Sequence, residues 1–285
     1  MGRTVYVNGK FLPEEDAKIS VFDRGFLFAD GVYEVTAVLN GKLVDKQGHL
    51  TRLRRSLSEL DMPSPADDKE IEAIQRELIQ RNKVTEGLVY LQITRGAAER
   101  SFFFPDPKTT RPSLVLFTQA FPLITNPKAE QGIKILTVED MRWTRRDIKT
   151  IQLLPSSICK MAARAQGKDD AWMVQDGYIT EGTSNNVFLV KKNHIITRQL
   201  STTILPGITR AAVLAYAEEA GYEVQEVSFS VKEAQSADEA FITSATAFVL
   251  PVVEIDGHPV GDGRPGPVSR RLRELYISES IRRSE

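Results

Sequence analysis

Cysteine is nearly absent from this sequence: Cys159 is alone among 285 residues. No intrachain disulfide can form, and a reducing, cytoplasmic setting is expected. Cys159 falls in an expected helix with Ile158 and Met161, where an inert, buried thiol is the default reading. Histidine is scarce as well. His49, His194 and His258 are scattered, without the spacings that hold a metal ion, so no metal site is expected. No GxxxxGK[ST] or GxSxG string occurs, which argues against a P-loop and against a serine hydrolase. The apolar runs, such as 113–117 and 248–253, stay far below the roughly 20 residues that span a bilayer. The first residues contain no apolar core, so no signal peptide is expected. Charge of one sign is also lacking. Basic residues number 37 and acidic ones 38, a net charge of -1, which gives no support for a nucleic-acid partner or a membrane surface.

What is present is ordinary globular material, 41% hydrophobic and 26% charged, enough for two mixed α and β domains. Hairpins are expected around Asn8-Gly9, Asn40-Gly41 and Asp176-Gly177, each flanked by β-forming residues. Helical spacing of apolar residues predicts helices over 49–60, 68–81, 156–166, 209–220 and 268–281. The stretch 122–132 holds two prolines and little periodicity, so it is the expected linker between domains at 1–121 and 133–285. Gly261-Asp262-Gly263-Arg264-Pro265-Gly266 matches a dinucleotide-binding pattern, but Pro265 interrupts it, and a turn before the last helix is the better reading.

Three strings carry chemistry. Leu205-Pro206-Gly207-Ile208-Thr209-Arg210 opens an expected helix with free backbone N–H groups and a hydroxyl, a form suited to phosphate. Thr180-Glu181-Gly182-Thr183-Ser184-Asn185-Asn186 sets an acid among small hydrogen-bonding residues that can hold it ionised. Arg145-Arg146-Asp147-Ile148-Lys149-Thr150 places a lysine between apolar stretches and beside cations, a setting suited to a nucleophile for a carbonyl. Alone, each string fits an ordinary helix start, a polar turn or a basic loop equally well or better.

Their order along the chain is more specific. With Asp23-Arg24-Gly25, Asp30-Gly31-Val32-Tyr33-Glu34-Val35, His49-Leu50-Thr51-Arg52-Leu53, Thr94-Arg95-Gly96, Arg142-Trp143, Asn186-Val187-Phe188, Thr243-Ser244 and Pro251 to Gly257, they make nearly the whole chain resemble the class IV (fold type IV) pyridoxal-phosphate aminotransferases. The resemblance is strongest to the D-amino acid aminotransferases. It implies an α/β, mixed α+β, two-domain fold with a barrel-like C-terminal domain, pyridoxal 5'-phosphate as cofactor, and a homodimer.

Residue by residue, the resemblance implies that Lys149 forms the Schiff base and carries the substrate proton. Glu181 would pair with the pyridine nitrogen. Arg52, with Ile208, Thr209 and Thr246, would bind the phosphate, and Leu205 would pack on the ring face. Tyr33 and Arg100 would grip the substrate carboxylate, with the arginine coming from the partner subunit's loop. The D-amino acid enzymes follow that arginine with a histidine two residues on. Here the position is Phe102, which donates no hydrogen bond, at a cost of roughly 1.5–3 kcal/mol in carboxylate binding. The implied reaction moves an amino group from a D-amino acid such as D-alanine to 2-oxoglutarate or pyruvate. The alternatives are an (R)-selective amine transaminase, a branched-chain L-amino acid aminotransferase, an aminodeoxychorismate lyase, or a non-catalytic dimer that retains the fold.

Overall fold

The computed structural model describes residues 2–283. Two compact units emerge. One runs to Pro122 and also takes Ile148–Gln152; the other takes Leu123–Asp147 and Leu153–Arg282.

In the first unit, β1 (Thr4–Val7) and β2 (Lys10–Pro13) form the expected hairpin. Its turn residues Asn8 and Gly9 have φ of 45° and 93°, the left-handed values that an Asn-Gly pair tolerates. After the short α1 (Arg24–Phe28) come β3 (Gly31–Leu39) and β4 (Lys42–Leu43), turning through Asn40-Gly41. Helices α2 (Lys46–Glu59) and α3 (Asp68–Arg81) follow, and α3 starts on Asp67, whose side chain accepts the Glu70 N–H at 2.8 Å. Then β5 (Glu86–Thr94) and β6 (Ser113–Ala120) complete a sheet ordered β2-β1-β6-β5-β3-β4, antiparallel throughout. One sheet face packs under the apolar faces of both helices, with Val32, Val38, Leu91, Ile93 and Leu116 meeting Leu50, Leu53, Leu57, Ile71 and Leu78. Ile148 joins that cluster. Burying one such side chain is worth roughly 1.5–3 kcal/mol, which explains why Ile148–Gln152 belongs with this unit.

In the second unit, the expected linker 122–132 carries a helix, α4 (Pro127–Gln131), and a fully buried Leu123, so from Leu123 onward it lies in the second unit. Asn126 caps α4 and Pro127 occupies its first turn, a combination that starts helices. The chain continues through β7 (Ile133–Glu139), α5 (Leu154–Ala165), β8 (Asp170–Gln175), β9 (Tyr178–Gly182), β10 (Asn186–Lys191) and β11 (His194–Thr197). It ends with α6 (Ile208–Glu219), β12 (Glu223–Glu226), α7 (Val231–Gln235), β13 (Glu239–Ser244), β14 (Phe248–Ile255), β15 (His258–Pro259) and α8 (Pro267–Arg283). The strands order as β12-β11-β10-β13-β14-β7-β8-β9, with β15 on β14. Beyond β12 the chain returns to β9: Ser230 bridges Tyr178, and the Ile179 N–H donates to the Phe229 carbonyl at 3.0 Å. The sheet therefore curls nearly closed around Trp172, Ile179, Val187, Phe229, Ile242 and Val252.

Candidate active site

Strand β3 sorts its side chains by alternation. Val32, Glu34, Thr36 and Val38 face the helices and are buried. Tyr33 faces the other way, stacked on Tyr90 at 5.7 Å, and Tyr90 is stacked on Phe117 at 4.7 Å. Lys149 lies against this strand. Its carbonyl accepts the Tyr33 N–H at 3.0 Å, its own N–H reaches Ser56 Oγ at 3.4 Å, and Thr150 bridges Val32. Its Nζ sits 4.2 Å from the centre of the Tyr33 ring. The amine is thus carried on a half-buried segment fixed on both flanks.

Helix α2 brings His49, Arg52 and Ser56 onto its buried face at helical spacing. Arg52 grips Glu34 with Nε to Oε1 and Nη2 to Oε2, both 2.8 Å. His49 Nδ1 lies 2.7 Å from Glu34 Oε2. Burial is the largest influence on Glu34 and pushes its carboxyl up. The Arg52 charge and the hydrogen bonds from Arg52 and His49 together outweigh it and bring the pKa to about 2. An ionised Glu34 is acceptor only, so Nδ1 of His49 carries the proton of that bond.

A lowered carboxyl contributes stability above its ordinary value, and that stability is lost as pH falls toward the folded value. A fall from 4.5 to about 2 corresponds to about 3 kcal/mol. Wild-type protein should therefore exceed Glu34→Gln in stability above pH 5, and the gap should close between pH 4.5 and about 2. Denaturant midpoints across that range measure it; a constant gap would contradict the assignment.

Arg24 and Arg95 are both buried and share Asp30 Oδ2, at 2.7 and 2.8 Å. They hold the segment after Thr94: Arg24 Nη1 donates to the Ser101 carbonyl at 2.6 Å, and the Phe104 ring lies 3.7 Å from the Arg95 guanidinium. Arg100, next to the anchored Ser101, has its ring contacts with Phe28 and Phe102, not with Tyr33. Phe102 and Phe103 are 81% and 86% exposed.

In the second unit, Asp170 ties down the turn after β9, accepting from Thr183 Oγ1 at 2.6 Å and Asn185 Nδ2 at 2.8 Å. Glu181 and Asn186 flank that turn. Buried Glu181 takes Arg142 Nη1 on Oε1 at 2.6 Å, and Asn186 Nδ2 and the Leu205 N–H on Oε2 at 3.1 and 3.0 Å. Arg142 is itself held by Asp140. Burial raises the Glu181 carboxyl, and Arg142 and the Leu205 amide offset only part of that rise. A carboxylate has about four lone-pair positions. These donors occupy three of them, so the arrangement suits one further donor.

Asn186 Nδ2 also donates to the Leu205 carbonyl at 2.9 Å, which draws the loop before α6 against Glu181. Gly207 makes that approach possible, because a Cβ there would meet Asn186 Oδ1 at 2.0 Å. Gly207→Ala should accordingly lower stability by about 1–3 kcal/mol, read as a shift in urea midpoint. An unchanged midpoint would show that Asn186 can move aside. Gly207 provides no side-chain cap to α6, so the N–H groups of Ile208 and Thr209 open a twelve-residue helix with its positive end uncapped. Helix α6 packs on β13, the strand that leads into the turn carrying Thr246. Just before that turn, Thr243 Oγ1 is buried without a hydrogen bond.

The structure thus gathers Lys149, Tyr33 and Arg52 in one unit and Glu181, Leu205, Ile208 and Thr209 in the other. In the sequence, Glu34, His49, Arg142 and Asn186 figure only as parts of longer strings, and none of Glu34, His49, Ser56, Asp140, Arg142 and Asn186 is given a place in the site. A usable signal did exist for the first two. A glutamate in the core-facing register of β3, and a histidine and arginine on the apolar face of α2, each need a buried partner of opposite character.

Comparison with solved structures defines the class of fold. The branched-chain aminotransferase of the thermophilic archaeon Thermoproteus uzoniensis, solved with norvaline, superposes with a TM-score of 0.88 at 26% identity, over 99% of this chain and 95% of that one. The Escherichia coli branched-chain amino acid aminotransferase gives 0.89 at 25% identity, over 100% and 96%. A family model described as amino-transferase class IV matches residues 31–255, and the chain belongs to that family. It is accordingly an aminotransferase. D-alanine aminotransferases of Bacillus licheniformis and Staphylococcus aureus (strain MSSA476) are 39% and 36% identical, covering 98% and 95% of this chain and 99% and 96% of theirs. No helix among the described residues is long and apolar enough to cross a membrane.

Proposed function

We propose that the protein transfers the amino group of a D-amino acid, D-alanine among them, to a 2-oxo acid such as 2-oxoglutarate or pyruvate, using pyridoxal 5'-phosphate. The observation that carries the reading is the placement of Lys149, its backbone fixed by Tyr33 and Ser56 and its amine over the Tyr33 ring. The full-length likeness to D-alanine aminotransferases supports the D-amino acid preference.

When bound, the cofactor supplies an aldehyde to take up the amino group and a ring to accept the electrons left at the substrate Cα. The chain supplies the rest. Lys149 would hold the aldehyde carbon and, once displaced, move the proton at Cα. Glu181 would hold a proton at the pyridine nitrogen, taking it as a fourth donor beside those of Arg142, Asn186 and Leu205. Arg52 and the uncapped start of α6, with Ile208, Thr209 and the Thr246 hydroxyl, would bind the phosphate. Leu205 would cover a face of the ring.

Tyr33 and Arg100 would orient the substrate carboxylate, with Arg100 supplied by the second copy of a cytoplasmic homodimer. The exposed Phe22, Phe26, Phe102 and Phe103 suit burial against such a copy. Phe102 favours a second reading, in which amines without a carboxylate also react.

The test is to add D-alanine, L-leucine and (R)-1-phenylethylamine separately to cofactor-loaded protein and follow the visible absorbance. Fast bleaching by D-alanine alone is expected. Bleaching by the amine instead would replace the carboxylate reading, and bleaching by L-leucine would reverse the handedness.

A further inference from the structure

We propose that Glu34 is a positioning residue for the cofactor's phosphate: it fixes the Arg52 guanidinium in one orientation, with His49 bracing the carboxylate. The proposal rests on the reading of Arg52 as a phosphate ligand.

Arginine is long and rotatable, so a single contact leaves its head free to swing. Glu34 removes that freedom with two parallel bonds to Nε and Nη2, which also fix the plane of the fork. The Nη1 corner then points away from the carboxylate. Glu34 cannot itself swing, because His49 holds Oε2 and the side chain is buried on β3. The same two elements hold the lysine segment, β3 through the Tyr33 N–H to the Lys149 carbonyl and α2 through Ser56 Oγ to the Lys149 N–H. The Glu34–Arg52 bond therefore joins strand to helix beside the lysine and sets the spacing between the phosphate arginine and the covalent anchor. A buried ion pair that only held α2 on the sheet would favour no part of the cofactor. A positioning pair would act on the phosphate alone.

That difference can be measured on apoprotein, by titration with pyridoxal 5'-phosphate and with pyridoxal, which lacks the phosphate. Glu34→Gln should weaken pyridoxal phosphate about 10-fold or more and leave pyridoxal unchanged. In an Arg52→Ala background the same substitution should add nothing further, since its effect passes through the arginine. Equal loss for both ligands, or full additivity, would overturn the proposal. If Arg52→Ala weakens pyridoxal phosphate and Glu34→Gln does not, the proposal fails and Arg52 keeps its role. If Arg52→Ala itself has no effect, the phosphate reading of Arg52 falls and the proposal falls with it. Should Glu34→Gln fail to fold, His49→Gln keeps the arginine–carboxylate pair and removes only the brace. It should produce a smaller loss confined to the phosphorylated ligand, and no loss there would count against the proposal.

Discussion

Lys149→Ala protein should fold normally and lose transamination by at least about 10²- to 10⁴-fold, the range attributable to a positioned proton carrier alone. The two effects separate because different atoms carry them. Folding depends on the backbone of Lys149, whose N–H and carbonyl are engaged by Ser56 and Tyr33, and alanine keeps both. The side chain adds one contact of its amine over the Tyr33 ring, about 0.5–1 kcal/mol at a partly exposed position. Against a typical total of about 5–15 kcal/mol, that loss leaves the native state populated. Thermal melting should shift by only a few degrees while single-turnover reaction with D-alanine disappears. Retained turnover would refute the role of the lysine. A large drop in melting temperature would show instead that the segment depends on the side chain for its place.

Glu181→Gln should lower turnover by about 10²- to 10³-fold, the usual loss when one preorganised electrostatic partner is removed. Unlike the lysine change, it should also cost stability. Oε1 receives the Arg142 Nη1 donor and Oε2 receives those of Asn186 and Leu205, so the carboxylate is approached by donors at both ends. A glutamine has only one accepting end, and its NH2 must face a donor whichever way it turns. The expected cost is about 1–3 kcal/mol for the mismatched buried group. It is kept from growing larger because Arg142 retains Asp140, with Nε at 3.0 Å and Nη2 at 2.8 Å. The two losses can be read separately, turnover in the cofactor-loaded protein and stability in a urea titration of the same preparation. Unaltered turnover in the variant would remove Glu181 from the pyridine nitrogen. Unaltered stability would mean that the turn after β9 relaxes around the new amide.

Much of this protein was legible in the sequence, for local reasons. The Asn8-Gly9, Asn40-Gly41 and Asp176-Gly177 turns need positive φ at both residues, and the hairpins formed there. Helix α3 spans Asp68–Arg81 as its apolar spacing predicts, and α6 and α8 begin and end within two residues of their expected bounds. The candidate residues could be named because they sit in short strings whose order along the chain is itself specific. The short helices α1, α4 and α7 escaped because five residues carry too little periodicity to register.

Only the tertiary structure decided the partners. Glu34 and Arg52 lie 18 residues apart, and Arg142 and Glu181 lie 39 apart. A single sequence states that each is charged but not which opposite charge will meet it. The same holds for the segment 148–152. Sequence pattern assigned it to the C-terminal half, whereas burial of Ile148 against α2 and the bonds from Lys149 to Tyr33 and Ser56 place it with the first unit. Turns and helices are set by residues within one or two turns of chain. A buried charge or an apolar side chain is settled by whichever distant surface removes it from water, and that surface exists only once the chain has folded.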